Sequence, residues 1–389
     1  MILRTLTTTI LLCGVACASV YAQLGEGLGT GKFGTFNTYS AYSMEPGFLS
    51  TSNQGRMFVA AGQSGFSSVK NVNLWQASNN MTVSYGIIDH FDALLSIVTY
   101  QDLNLRVVRG SQSSVPGDLY LTLRTGSHDL MDGRLGLGAA ITGRFPTGGQ
   151  QNVPLEIYKS ENIEAGLLAM GSFYGNPYYK EQSFVLNFDV GIWSHNDNGS
   201  LISPTKNVVS PVKSDKNTLH LQYALGILYP LGAVELMLDA HGVSYVGASK
   251  YIYSRESNFY VTPGIRYNLR SWINVGTYVD ILIAGKSDKT NYTNDQLTGI
   301  LKPGETSTSK GAPNYASWRL GFSLGFNILP LNLSSAPTEQ RRRRLLDRLV
   351  EEEKGAQKAS TQLEKLKTVR VNAEKELDKI RQELEGGGQ

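Results

Sequence analysis

The chain is short of cysteine, of charge and of long apolar runs. Its only two cysteines, Cys13 and Cys17, both fall within the first 22 residues. That opening stretch reads as a secretory signal. Arg4 supplies the charged start, residues 6–18 the apolar centre, and Val20-Tyr21-Ala22 a small-residue cleavage site before Gln23. A lipid anchor on Cys17 is the alternative, but Gly14 stands where a leucine is usual. Cleavage after Ala22 leaves a mature chain without thiols, which excludes disulfides and thiolate metal sites. Charged residues make up 18% of the chain and the net charge is +3, with no interleaved basic and aromatic module, so nucleic acid is not an expected partner. No apolar run is long enough for a membrane-spanning helix. A glycine-rich loop leading into a helix, the mark of a nucleotide site, is missing too.

What the chain has instead is glycine (41), tyrosine (20) and alternation. In TLHLQYALGILY (residues 218–229), Leu219, Leu221, Tyr223, Leu225, Ile227 and Tyr229 share one face, and Thr218, His220, Gln222, Ala224 and Gly226 the other. A side-chain period of two is that of a strand between an apolar and a polar phase. Similar runs recur at 81–88, 93–100, 118–124, 134–145, 163–173, 184–195, 233–245, 259–267, 272–283 and 315–326. Their length suits the 9–11 tilted residues of a bilayer crossing better than the five or six usual in soluble strands.

Short links near residues 90, 129, 178, 231 and 270 alternate with longer polar links near 108, 154, 206, 251 and 299. Outer-membrane barrels place short turns in the periplasm and long loops outside. The expected fold is therefore all-β, an antiparallel transmembrane barrel over residues 55–327. Twelve strands are preferred, and 14 follow if 32–44 and 69–77 each add one. A glycine-rich segment, 23–54, precedes it.

The pattern changes at residue 328. After a linker (328–337), apolar residues fall at Leu345, Leu349, Ala356, Ala359, Leu363, Leu366, Ala373, Leu377, Ile380 and Leu384, with spacings of three and four broken at Glu352 and Arg370. This heptad seam predicts a coiled-coil helix over 338–385, ended by a flexible tail at 386–389. Its place after the last strand puts it in the periplasm. Its expected partners are a periplasmic protein or a second copy. Four arginines at 341–344 suit anionic lipid headgroups.

Strand register sends Arg124, Arg144, Arg266 and Arg319 into the lumen, against Asp189, Glu235, Asp239 and Asp280, with Asn187, His195, His220 and Asn274 among them. Counting from the short turns puts Glu235 level with Arg266 and Asp280 level with Arg319. Cross-strand pairs that brace the wall are expected, since unpaired charges in a poorly hydrated lumen are costly. A charged selectivity ring is the other reading. Asp239 and His241 supply only two metal ligands. His195, His220 and His241 have no nucleophile at a telling spacing, so neither a metal, a cofactor nor an enzyme is expected.

Three blocks carry a family likeness: VSYGIIDHFDALLSIVTY (83–100), GDLYLTLR (117–124) followed by RLGLGAAITGRFPTGG (134–149), and VTPGIRYNL (261–269). They resemble the outer-membrane transport barrels of meta-pathway phenol degradation and, more loosely, the hydrocarbon-uptake barrels. The resemblance implies 12 strands and passive passage of small, including apolar, solutes. The coiled-coil tail departs from that pattern. The expected function is an outer-membrane channel for small solutes. The alternative is a structural anchor whose periplasmic coiled coil docks a partner or the cell wall.

Overall fold

A computed structural model describes residues 30–31, 33–63, 72–104, 112–114, 117–148, 155–201, 213–249, 252, 256–270, 272–285, 314–329 and 336–386. The stretch expected to be a signal (1–22) and residues 387–389 of the expected tail lie outside them. The chain divides into two units, 1–331 and 332–389.

The first unit is a closed antiparallel barrel of twelve strands. In chain order these are β1 (Leu49–Gln63), β2 (Val72–Ile88) and β3 (Phe91–Asn104). After a short β4 (Gln112–Ser114) come β5 (Leu119–Leu130), β6 (Leu135–Phe145), β7 (Glu164–Tyr174) and β8 (Val185–Ser194). The rest are β9 (Leu219–Leu231), β10 (Val234–Gly247), β11 (Asn258–Arg270), β12 (Ile273–Ala284) and β13 (Trp318–Leu329). Each barrel strand pairs with its sequence neighbour, and β1 closes the ring by pairing with β13. β4 only folds back on the outer part of β3 and is not part of the ring. Lengths of 10 to 17 residues exceed those of soluble strands and fit a tilted crossing.

Alternation dictates which face meets lipid. Leu221, Leu225, Ile227 and Tyr229 of β9 are exposed outward, as are Phe188, Val190 and Ile192 of β8 and Trp318 and Leu320 of β13. Thr218, His220 and Gln222 are buried on the inner side. β7, whose sequence is apolar on both faces, turns Leu167 out and Leu168 and Met170 in.

The number of strands is the smaller of the two sequence expectations, and the two extra candidates resolve differently. Residues 72–77 are the outer half of β2, continuous with 81–88. Residues 33–48 are not a strand, and the barrel starts at Leu49, not Gly55. The stretch 49–54 (LSTSNQ) has little apolar alternation. It becomes a strand because its backbone pairs on both sides, with Phe326 opposite Thr51 on β13 and Val83 opposite it on β2.

The second unit is one helix, α1 (Ala336–Gly386). Pro337 falls in the first turn, where a missing N–H costs nothing. Every α1 side chain that the structure describes is exposed.

Candidate functional site in the barrel lumen

Residues 33–44 lie inside the barrel, and the chain surfaces at Pro46 and Gly47 before β1. Phe33, Phe36, Tyr39 and Ala41 are buried, as are Thr35, Asn37, Thr38, Ser40 and Ser43 between them. An irregular segment in a low-dielectric space must find partners for its main-chain groups. Some are met locally, as where the Thr35 amide donates to the Thr38 carbonyl and the Ser40 amide to that of Thr30, and luminal side chains supply many of the rest. On β10, Asp239 Oδ2 accepts the amides of Phe36 (3.1 Å) and Asn37 (3.3 Å), and Oδ1 accepts the hydroxyls of Thr35 and Thr38. On β8, Asp189 accepts the Tyr39 amide at 2.6 Å, and Asn187 donates to the Phe33 carbonyl at 2.7 Å. On β7, Ser172 Oγ accepts the Ala41 amide at 2.8 Å, and on β3 Asp92 accepts that of Met44 at 2.7 Å. Arg56 and Gln54 of β1 donate to Asn37 and to the Phe36 carbonyl. The segment thus touches strands around the whole circumference.

Glycines make room for it. Phe36 stacks on Tyr278, with ring centres 4.3 Å apart. A Cβ at Gly276 would lie 2.8 Å from the Phe36 ring, and one at Gly264 only 2.5 Å from it. Above this level Tyr39 packs in an apolar layer with Leu94, Val98, Tyr120, Leu168, Met170 and Trp193.

Of the eight charges named from sequence, Arg124, Arg144, Asp189, Asp239, Asp280 and Arg319 are buried, and Glu235 and Arg266 are partly buried. Arg124 forms a two-pronged pair with Asp92 (2.9 and 2.7 Å). Arg144 lies 2.9 Å from Asp118 and 2.7 Å from Glu164. Arg266 pairs with Glu235 directly across the β10–β11 ladder. Arg319 pairs with Asp280 across β12–β13 at 2.9 Å, and Arg56 approaches the same carboxylate at 3.6 Å. Asp189 and Asp239 are used differently. Their hydrogen bonds go to the inserted segment, not to a guanidinium.

Asp92, Asp118, Glu164 and Arg56 did not emerge from sequence. Glu164 sits at a strand start on β7, which has two apolar faces, and β1 has weak alternation, whereas Asp118 shares the Arg124 face of the run 118–124. Asp92 was readable in principle, since it follows the tight turn at Asp89-His90 by two residues and faces Arg124 in register.

The long-loop end holds a second insertion, residues 155–160, all buried. Lys159 reaches Asp118 (3.6 Å) and Glu156 (3.5 Å), and Tyr158 donates to Asp197 at 2.9 Å. Burial raises the Glu156 carboxyl above the usual glutamate range, with Lys159 opposing the shift. Glu164 accepts from the Ser160 amide (2.6 Å) and Trp193 Nε1 (2.7 Å), and lies 3.0 Å from His195 Nδ1, whose other ring nitrogen faces His220 at 2.9 Å. This brings a serine, a histidine and a carboxylate together. The Ser160 hydroxyl, however, donates to the His195 main-chain carbonyl at 2.7 Å and not to its ring, so no base activates it. His241 stacks on Tyr260, and among the described residues no cluster of three metal-ligating groups forms.

The heptad residues lie on α1. Leu363, Leu366, Leu377 and Ile380 are more than half exposed, and Ala359 and Ala373 are exposed as well.

No family model matches the chain, and no curated protein matches it in sequence. Solved outer-membrane barrels match its fold. A COG4313 outer membrane channel from Pseudomonas putida F1 aligns with TM-score 0.47 and 11% identity over 74% of this chain and 98% of that one. A NanC porin aligns with TM-score 0.41 and 9% identity over 72% and 98%. A Pseudomonas aeruginosa FadL homologue aligns with TM-score 0.35 and 10% identity over 80% and 100%.

Proposed function

We propose that the protein is an outer-membrane channel for small solutes whose lumen is held shut by its own N-terminal segment. One observation carries this reading: the wall closes without the inserted segment, which is held in the lumen by hydrogen bonds and by aromatic packing and contributes no strand pairing of its own. The donors are amides and hydroxyls and the principal acceptors are carboxylates, groups that exchange readily for water. The segment is therefore a removable obstruction and not a strand of the wall. The luminal ion pairs belong to the wall, where each guanidinium is matched by a carboxylate. They brace the barrel and leave no large excess of one sign to select ions by charge.

Planar-bilayer recording of the full chain and of a variant lacking residues 30–46 tests this. The full chain should be closed most of the time, and the shortened chain should conduct steadily. A shortened chain that folds, judged by heat-modifiable gel mobility, and yet stays silent would remove the segment's role as the gate.

A further inference from the structure

We propose that α1 pairs full-length and antiparallel with α1 of a second copy of this chain, independently of the channel reading. Among the described residues of this 51-residue helix every side chain is exposed, so the part of its surface that they cover gains no stabilisation from packing within the chain. Its heptad seam supplies a face, but two charges, Glu352 and Arg370, interrupt that seam. In a parallel, in-register pair each would meet its own like charge at the centre of the interface.

Antiparallel pairing removes both conflicts at once. Opposing residues in the seam then have numbers that add to a constant, and placing Arg370 opposite Glu352 of the second copy sets that constant to 722. The helix ends, Ala336 and Gly386, add to the same 722, so this one register overlaps the two helices over their whole length. Near the centre it sets large against small, Leu363 opposite Ala359 and Leu366 opposite Ala356, and farther out it sets Leu349 opposite Ala373, Leu345 opposite Leu377 and Ile380 opposite Arg342.

The flanking positions agree. On one edge Glu353 meets Lys367; on the other Arg348 meets Glu376. Toward the ends Glu339 meets Arg381 and Arg341 meets Glu383. All five kinds of charged contact are attractive and each occurs twice by symmetry, the self-complementarity that a twofold interface requires. Within one helix Arg370 reaches Glu374, at 2.8 Å on an exposed surface, a weak pair that can exchange for another partner.

Single cysteines in the full chain test the register, in a background with Cys13→Ser and Cys17→Ser. The twofold axis passes close to position 360, so Ser360→Cys should cross-link to itself under mild oxidation, while Ala373→Cys should not. A parallel pair would give the reverse. Self-cross-linking at 373, or at neither position, would overturn the proposal. Charge reversal gives an independent reading by sedimentation in detergent. Glu352→Arg and Arg370→Glu alone should each weaken association at least tenfold, and the double variant should restore it. A double variant no better than either single one would likewise overturn it.

Discussion

Asp239 is the strongest single anchor of the luminal segment, and replacing it separates the gate from the wall. Its side chain is fully buried and accepts four hydrogen bonds, two from hydroxyls and two from main-chain amides. A hydrogen bond to a charged group contributes about 1.5–3 kcal/mol. The four are not additive, and deleting the carboxylate also relieves its own burial cost. A net loss of about 3 kcal/mol is the working figure for Asp239→Ala. At about 1.4 kcal/mol per factor of ten, the ratio of open to closed channels should rise on the order of 100-fold. Asp239→Asn should do much less. Its carbonyl can take the Oδ2 place facing the amides of Phe36 and Asn37, and its NH2 can donate to the hydroxyls of Thr35 and Thr38. Strand pairing on β10 uses main-chain groups only, so both variants should melt within a few degrees of the parent. Single-channel open probability is the assay. An alanine variant that folds but opens no more often than the parent, or an asparagine variant equal to alanine, would refute the reasoning.

Gly276→Ala should press its Cβ on the Phe36 ring and on Ser323, raising open probability while lowering barrel stability by about 1–3 kcal/mol in thermal melts. Arg266→Ala leaves Glu235 with Asn268 as its side-chain donor among the described residues (2.9 Å) and should cost about 1–3 kcal/mol, with cation-to-anion selectivity in reversal potentials changed less than about twofold. Glu156 has a raised carboxyl pKa, so its folded state favours the protonated form. Its contribution is fully present below the ordinary glutamate pKa of about 4.3 and is lost as pH rises through the raised value. Glu156→Gln should therefore flatten the parent's fall in melting temperature across that acidic window. Gly355 sits in mid-helix with open space where a Cβ would be, and Gly355→Ala should stabilise α1 by about 1 kcal/mol in circular-dichroism melts.

The wall was legible because a lipid-facing strand must alternate. Residues 218–229 announce β9, and counting from the short turns places Glu235 beside Arg266 and Asp280 beside Arg319, where the ladders put them. The luminal segment was not legible, because a segment held by other strands' side chains needs no period. Residues 33–48 satisfy Asp92, Asp189 and Asp239 with amides and hydroxyls, which almost any sequence can offer. Two signals were present. Aromatic residues stand at 33, 36, 39 and 42, too regular for a plain linker and wrong for a strand. Asp189 and Asp239 also pointed inward without a cation at their height. On α1 the breaks at Glu352 and Arg370 looked like flaws in a seam, and only the helix bounds gave them a common centre.

In the proposed channel the N-terminal segment shuts the lumen and must move for solute to pass. Thr35 Oγ1 lies against the place where a Cβ on Gly226 would stand. Thr35→Cys with Gly226→Cys can therefore tie the segment to β9 in a mature chain expected to have no other thiol. Conductance of this double variant, recorded before and after adding a reductant, is the direct measurement. The account predicts a silent channel when oxidised, with openings that appear on reduction and vanish on reoxidation. Equal conductance in both states, with the disulfide shown to form, would contradict it.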